Sequence, residues 1–330
     1  MINKGWQLNM EAKDVVLNDQ VQDLINQVNN LYPGKVTVHF IGQLQAGYVR
    51  HDQAQQMQVG KDIDIQVADL TAPNYTASHE LLHLLMILSG FPQVFFSLTT
   101  GNKDLDEQLM IMGTELYDIV SHVVVVSEQK KHGLITPEIN DLYLKGVQAT
   151  LKPEPAERDD EMTLRTLTLL DALVFFGRDD DAINATFTKD YPLSFAAAQK
   201  LYDLIMEKPV SSPFTFRRNV VKLFKAFDAQ LEAWDLPALH NTEYTTLASV
   251  LSKRQLGLKV RQVFELYHSD MHEKTTQRRG YVGFNRSDQQ NAFVLPAPKP
   301  KEDTPDYYTH IYDLTVDELF RQLKMPYILR

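Results

Sequence analysis

The 330-residue chain contains no cysteine. Disulfides and thiolate-held metals are therefore excluded, and any metal must be bound by His, Asp or Glu. The absence also fits a reducing compartment. Basic side chains are outnumbered, 33 Lys and Arg against 43 Asp and Glu, for a formal net charge of -10. That balance argues against nucleic acid or an anionic membrane surface as the main partner. Long hydrophobic runs are missing too. LLHLLMIL and HVVVV are too short to span a bilayer. MINKGWQLNMEAKDVVLNDQ has no apolar core of signal-peptide type. The expectation is a soluble, cytoplasmic protein with no membrane or nucleic-acid role, its oligomeric state left open.

What is present is ordinary globular composition, 44% hydrophobic and 23% charged. That is enough for two domains. Residues 13–31 place Val16, Val21, Leu24, Ile25 and Val28 at helical spacing, and Pro33 and Gly34 end the helix. KVTVHFIG alternates like a strand. KDIDIQVAD (61–69) alternates again, with Ile63, Ile65 and Val67 on one face and Asp62, Asp64 and Gln66 on the other, which suits a half-exposed edge strand. A helix starts near Pro73 and Asn74 and stops at Gly90 and Pro92. A second long helix is expected over about 104–131. LKPEPAERDD (151–160), with two prolines and a charge cluster, suggests a domain boundary. Beyond it the patterns predict a mostly α-helical domain, with EYTTLASVLSKRQLGLKVRQVFELYH read as helix and 269–310 as polar loop. The expected fold is α+β and helix-rich, with domains at 1–150 and 151–330.

Within the first helix of interest stands HELLH, residues 79–83. His79 and His83 are four apart and share one helical face. Two imidazoles so placed can hold one zinc ion, and Glu80 can act on water beside it. A catalytic zinc needs a third protein ligand. The second helix offers GTELYDIVSH, where Glu107, Glu115, Asp118 and His122 share one face of an apolar helix. Acidic groups in such a setting need partners, and a metal held by the histidines is one. Glu115 is the first choice, with Asp118 orienting a histidine. Asp118 and His122 stay open as alternatives, and His122 also reads as a hydrogen-bonded core histidine. A two-His, one-carboxylate set equally suits Fe(II) or Mn(II).

A strand with one polar face followed by an HExxH helix resembles the zincin metallopeptidases, over about residues 35–131 and specifically at His79, Glu80 and His83. The resemblance implies a small sheet packed on two long helices. It also implies a peptide or protein substrate pairing with an edge strand, zinc as cofactor, and Glu80 as general base. The metzincin continuation is excluded, because Met86 and Ser89 stand where it needs glycine and histidine. The gluzincin pattern, with a glutamate from the second helix, is nearer, but it has a shorter gap and a Glu-x-x-x-Asp spacing. The longer gap and the preceding Gly-Thr look somewhat like the aspzincins. The implied function is an intracellular zinc-dependent metallopeptidase. The alternatives are a non-catalytic regulatory or protein-interaction protein on a zincin-like scaffold, and a helical scaffold with a chance HExxH.

Two further stretches carry charge. FRRNVVKLFK (216–225) is a basic amphipathic segment, read as a solvated or internally paired face. QRRGYVGFNR (277–286) reads as an ordered surface loop, or as a segment that covers a cleft or grips a ligand.

Overall fold

The computed structural model describes residues 15–330. In chain order the first elements are α1 (Asp19–Leu31), β1 (Val36–Leu44), a 3-10 turn (His51–Gln53), β2 (Ala54–Val59), β3 (Asp62–Asp69), α2 (Pro73–Leu88), β4 (Val94–Phe95), β5 (Leu98–Thr99), α3 (Lys103–Lys131), α4 (Pro137–Thr150), α5 (Met162–Phe176), α6 (Asp181–Asp190) and α7 (Pro192–Met206). There follow α8 (Pro213–Glu232), α9 (Asn241–Tyr244), β6 (Thr246–Leu247), β7 (Ser249–Leu251), α10 (Lys253–Leu256), α11 (Val260–Val263), β8 (Phe264–Glu273), β9 (Arg279–Asn285), β10 (Asn291–Pro296), α12 (Pro305–Asp313), α13 (Val316–Leu323) and β11 (Tyr327–Leu329). The class is α+β and rich in helix. Lys13 and Asp14, the expected start of the first helix, lie outside the described residues, as does most of the stretch read for a signal core.

The chain forms two compact units. Unit 1 comprises the described residues up to Ser89 and His122–Phe195, and unit 2 comprises Gly90–Ser121 and Ala196–Arg330. The stretch 151–160, expected as a boundary, lies inside unit 1. It is fastened there by charge: Glu154 accepts from the backbone N–H of Leu193 and from Ser194 Oγ, and the fully buried Arg165 faces Glu154, Asp159 and Glu161. A proline-rich, charged segment can be a strap as well as a linker when a buried cation calls its carboxylates in.

Unit 1 holds a three-stranded sheet in the order β1-β3-β2, with β1 parallel and β2 antiparallel to β3. Val36, Phe40, Ile65 and Val67 are buried, as are Val21, Leu24 and Val28 of α1. Alternation in β3 thus points as the sequence predicts, but β3 is the central strand and not the edge. The free edge is β2, which lies between the two strand patterns marked in the sequence. Its AQQMQV has no apolar face to signal a strand, since nearly all of it is exposed. α3, with 29 residues, is the one described helix long and apolar enough to cross a membrane, and half of its most apolar window is buried.

Unit 2 adds sheet to the helices expected of the second half. Strands β10, β9, β8 and β5 form a four-stranded sheet in that order, and β11 pairs with β7. The segment 269–310 therefore carries the end of β8, all of β9 and β10 and the start of α12, and QRRGYVGFNR is strand β9 with its flanks. The stretch 243–268 breaks into α9, β6, β7, α10, α11 and the start of β8, because Ser252 caps a new helix at Lys253 and Leu247, Val250 and Leu251 are buried as a strand run. Gly283 is required in β9: a Cβ there would meet the ring of Phe293 at 2.2 Å. Phe293 joins Phe264, Val316, Leu319 and Phe320 in the core of this unit.

Candidate metal centre

HELLH sits on α2, which opens with Pro73 as its first residue and ends before Gly90, whose φ is 81°. His79 and His83 meet edge to face one turn apart, their Nε2 atoms 3.1 Å from each other. α3 is tied to the same turn of α2 by the fully buried Gln129, whose amide donates to the Tyr75 carbonyl at 3.1 Å and to Ser78 Oγ at 2.9 Å. That fastening brings His122 of α3 to the pair, its ring 4.9 Å from His79 and 5.2 Å from His83 between centroids.

A fourth imidazole comes from the 3-10 turn before β2. His51 stacks on His79 at 4.4 Å and lies 4.2 Å from His122. Its loop is shaped locally by Gln53, which donates to the Tyr48 carbonyl at 3.0 Å and accepts from the Arg50 N–H at 2.9 Å. The loop is docked on α4, where the Val49 N–H donates to the Leu142 carbonyl at 3.1 Å. Gly146 permits this, since a Cβ at 146 would stand 2.0 Å from the Val49 carbonyl oxygen. Ligand atoms of His51, His79 and His122 all fall within 4.8 Å of one another.

Asp171 of α5 organises the cluster from behind. Its Oδ1 accepts from His122 Nδ1 at 2.6 Å, its Oδ2 accepts from Tyr143 Oη at 2.8 Å, and His51 Nδ1 lies 3.0 Å from the same Oδ2. A carboxylate on Nδ1 fixes the imidazole tautomer and turns the Nε2 lone pair away from it, as behind metal-bound histidines.

Electrostatics follow from burial. His79 and His83 are held well below the usual imidazole range, first by burial and then by neighbouring imidazoles. Burial also lowers His122, with Asp171 pulling the other way. For Asp171 burial alone works upward, but His122 and His51 outweigh it and keep the carboxyl well below its ordinary value. Burial thus disfavours the protonated forms of His79, His83 and His122, while Asp171, set against the Nδ1 atoms of His122 and His51, is held on the ionised side. Buried charges are paired or coordinate metals. Glu80 meets β2. Its Oε2 accepts from Gln56 Nε2 of β2 at 3.0 Å, and burial raises its pKa against the pull of Gln56 and His51.

A metal fits this donor set. Two nitrogens bound to one tetrahedral zinc at about 2.0 Å stand about 3.3 Å apart, near the 3.1 Å between His79 and His83. His79 Nδ1 is buried without a hydrogen-bond partner, so Nε2 is the nitrogen through which His79 meets His83. All-imidazole donors suit zinc, as they suit copper, iron and nickel.

Of the residues marked in the sequence, His79, His83 and His122 come together and Glu80 sits beside them. The ligand-atom group found among the described residues is His51, His79 and His122; His83, Glu115 and Asp118 are outside it, and His83 joins through its ring contacts with His79 and His122. Glu115 lies seven residues before His122 on α3, roughly 10 Å along the helix axis. Tyr117 of α3 gives its hydroxyl to the Pro92 carbonyl at 3.0 Å. Sequence reasoning missed His51 and Asp171. Asp171 left a signal, a lone acid within LTLLDALVFF, a helix too apolar to carry a charge without a purpose. His51 left none. No protein-family model, curated protein or solved structure matches the chain.

Proposed function

We propose that unit 1 is a zinc-dependent metallopeptidase site. His79, His83 and His122 hold the ion, Asp171 orients His122, and Glu80 is the general base. The observation that carries this reading is the convergence of three imidazoles from α2 and α3, with Asp171 on His122 Nδ1 and Glu80 of the same HExxH turn tied to β2. When bound, zinc supplies Lewis acidity that polarises a carbonyl and acidifies water. The chain's own residues do the rest. Glu80, anchored by Gln56, takes a proton from the attacking water and passes it to the leaving amine, and its raised pKa suits that exchange. The free edge of β2 carries Gln56, so an extended peptide adding to that edge would run past Glu80.

His51 favours a second reading. If it joins His79, His83 and His122 on the ion, four ligands close the site and the metal is structural. The protein is then a non-catalytic interaction protein.

One comparison separates the two. Zinc-loaded wild type and Glu80→Gln are assayed on a denatured, dye-labelled protein, and the cobalt-substituted forms are titrated with a hydroxamate. The peptidase reading expects cleavage that falls roughly 100-fold or more in Glu80→Gln with metal content unchanged. It also expects a cobalt spectrum that shifts as the hydroxamate enters an open position. No cleavage together with an unmoved spectrum would contradict it and support the closed site.

A further inference from the structure

Unit 2 contains a cavity of about 550 Å3 that the proposed peptidase chemistry does not use. It lies between the basic face of α8, the β7 region and the turn after β9. Five cationic side chains line it, Arg217, Arg218, Lys222, Lys225 and Arg330, against a single carboxylate, Asp288. The surplus of positive charge stands in a chain whose net charge is -10. Chance placement on an acidic protein would give the opposite sign.

Internal pairing accounts for part of this charge. Arg217 pairs with Asp288 and donates Nε–H to the Ala248 carbonyl at 3.2 Å. Lys222 pairs with Glu207, Lys225 donates to the Asp288 carbonyl at 2.6 Å, and Arg330 lies over the Phe214 ring at 4.8 Å. One donor is left over. The Arg217 side chain is only 6% exposed, and its Nη2 is buried without a hydrogen-bond partner. A buried guanidinium nitrogen is costly to leave unmatched. Its fork geometry is made for a planar or tetrahedral oxyanion.

The remaining walls are not ionic. Phe214, Val221 and Val250 are apolar, and Gln255, Asn285 and Ser287 offer neutral polar groups. The volume falls within the range of small-molecule sites. A bare anion would leave the apolar wall unused. A phosphate group carries roughly -1.5 to -2 near neutral pH, so two of them approach the surplus positive charge.

We propose that this cavity binds a small organic phosphate. The phosphates meet Arg218, Lys222 and Lys225, with the buried Arg217 guanidinium behind them, and a ring or apolar body lies toward Phe214 and Val250.

The test is calorimetry on the full chain at low salt, with ADP, inorganic phosphate and a short single-stranded oligonucleotide as probes. The variants are Arg218→Gln/Lys225→Gln, at exposed positions, and Arg217→Gln. ADP should bind wild type at least 10-fold more tightly than inorganic phosphate. It should raise the melting temperature of wild type, and its affinity should fall 10-fold or more in the exposed double variant. The double variant keeps the test decisive should Arg217→Gln fail to fold. No binding of ADP at millimolar concentration, equal affinity for ADP and phosphate, or affinity unchanged in the double variant would each overturn the proposal. Tighter binding of the oligonucleotide than of ADP would overturn it in favour of nucleic acid.

Discussion

Replacing Asp171 with alanine is expected to cost the metal-free protein about 3 kcal/mol of stability and to weaken zinc binding about 10- to 100-fold. The stability loss comes from what the carboxylate holds. His122 and Tyr143 donate to it, and His51 stands at 3.0 Å. Removing it leaves donors buried among apolar side chains of α5, where water does not replace the acceptor. Relief of one buried negative charge offsets part of this, which is why the figure stays near the cost of one strong charged contact and below the sum of three. The zinc effect has a separate origin. Without a carboxylate on Nδ1, His122 is free to take either tautomer and to turn. Asp171→Asn separates the two contributions: it keeps the volume and one acceptor, so most of the stability returns while the tautomer control does not. Urea denaturation and competitive zinc titration on the same preparations read both. Unchanged zinc affinity in Asp171→Ala would mean that the carboxylate supports the fold alone.

The second large effect is expected at Gly146, far from any metal ligand in sequence. Alanine in a helix interior ordinarily stabilises by up to about 1 kcal/mol over glycine. Here the added Cβ would stand 2.0 Å from the Val49 carbonyl oxygen, well inside contact distance. Overpacking of that kind costs about 1–3 kcal/mol, so the clash outweighs the propensity gain. Relief comes by lifting the 48–53 loop off α4, which breaks the Val49 to Leu142 hydrogen bond and carries His51 away from Asp171. Gly146→Ala should therefore destabilise the protein and shift the His51 ring signals in an NMR spectrum. Its effect on zinc affinity also reports on His51: a modest change fits three ligands, and a loss as large as that of His83→Ala fits four. A Gly146→Ala protein more stable than wild type would contradict the close packing of loop on helix.

The contrast between these two sites explains what was legible in the sequence. His79, Glu80 and His83 could be read because an i, i+4 pair is fixed by the helix that bears it. The long second helix and the alternation in β3 were legible for the same reason, since local period decides which face is apolar. Asp171 and His51 join His79 from far along the chain, through α5 packing and a loop docked on α4, and no local period encodes that. β2 escaped because an exposed edge strand has no apolar face, and β8 to β10 because their polar turns outweighed short buried runs such as Ala292 and Phe293. Glu115 shares a helical face with His122, and it is His122, two turns further on, whose ring meets the α2 histidines.

The central claim is that α2 and α3 hold one metal through imidazoles. Elemental analysis of protein purified without a histidine tag, for wild type, His83→Ala, His122→Ala and Glu115→Ala, tests it most directly. The expected result is about one zinc per chain in wild type and Glu115→Ala, and loss in both histidine variants. No metal in wild type after zinc is supplied, or zinc kept in His122→Ala and lost in Glu115→Ala, would contradict it.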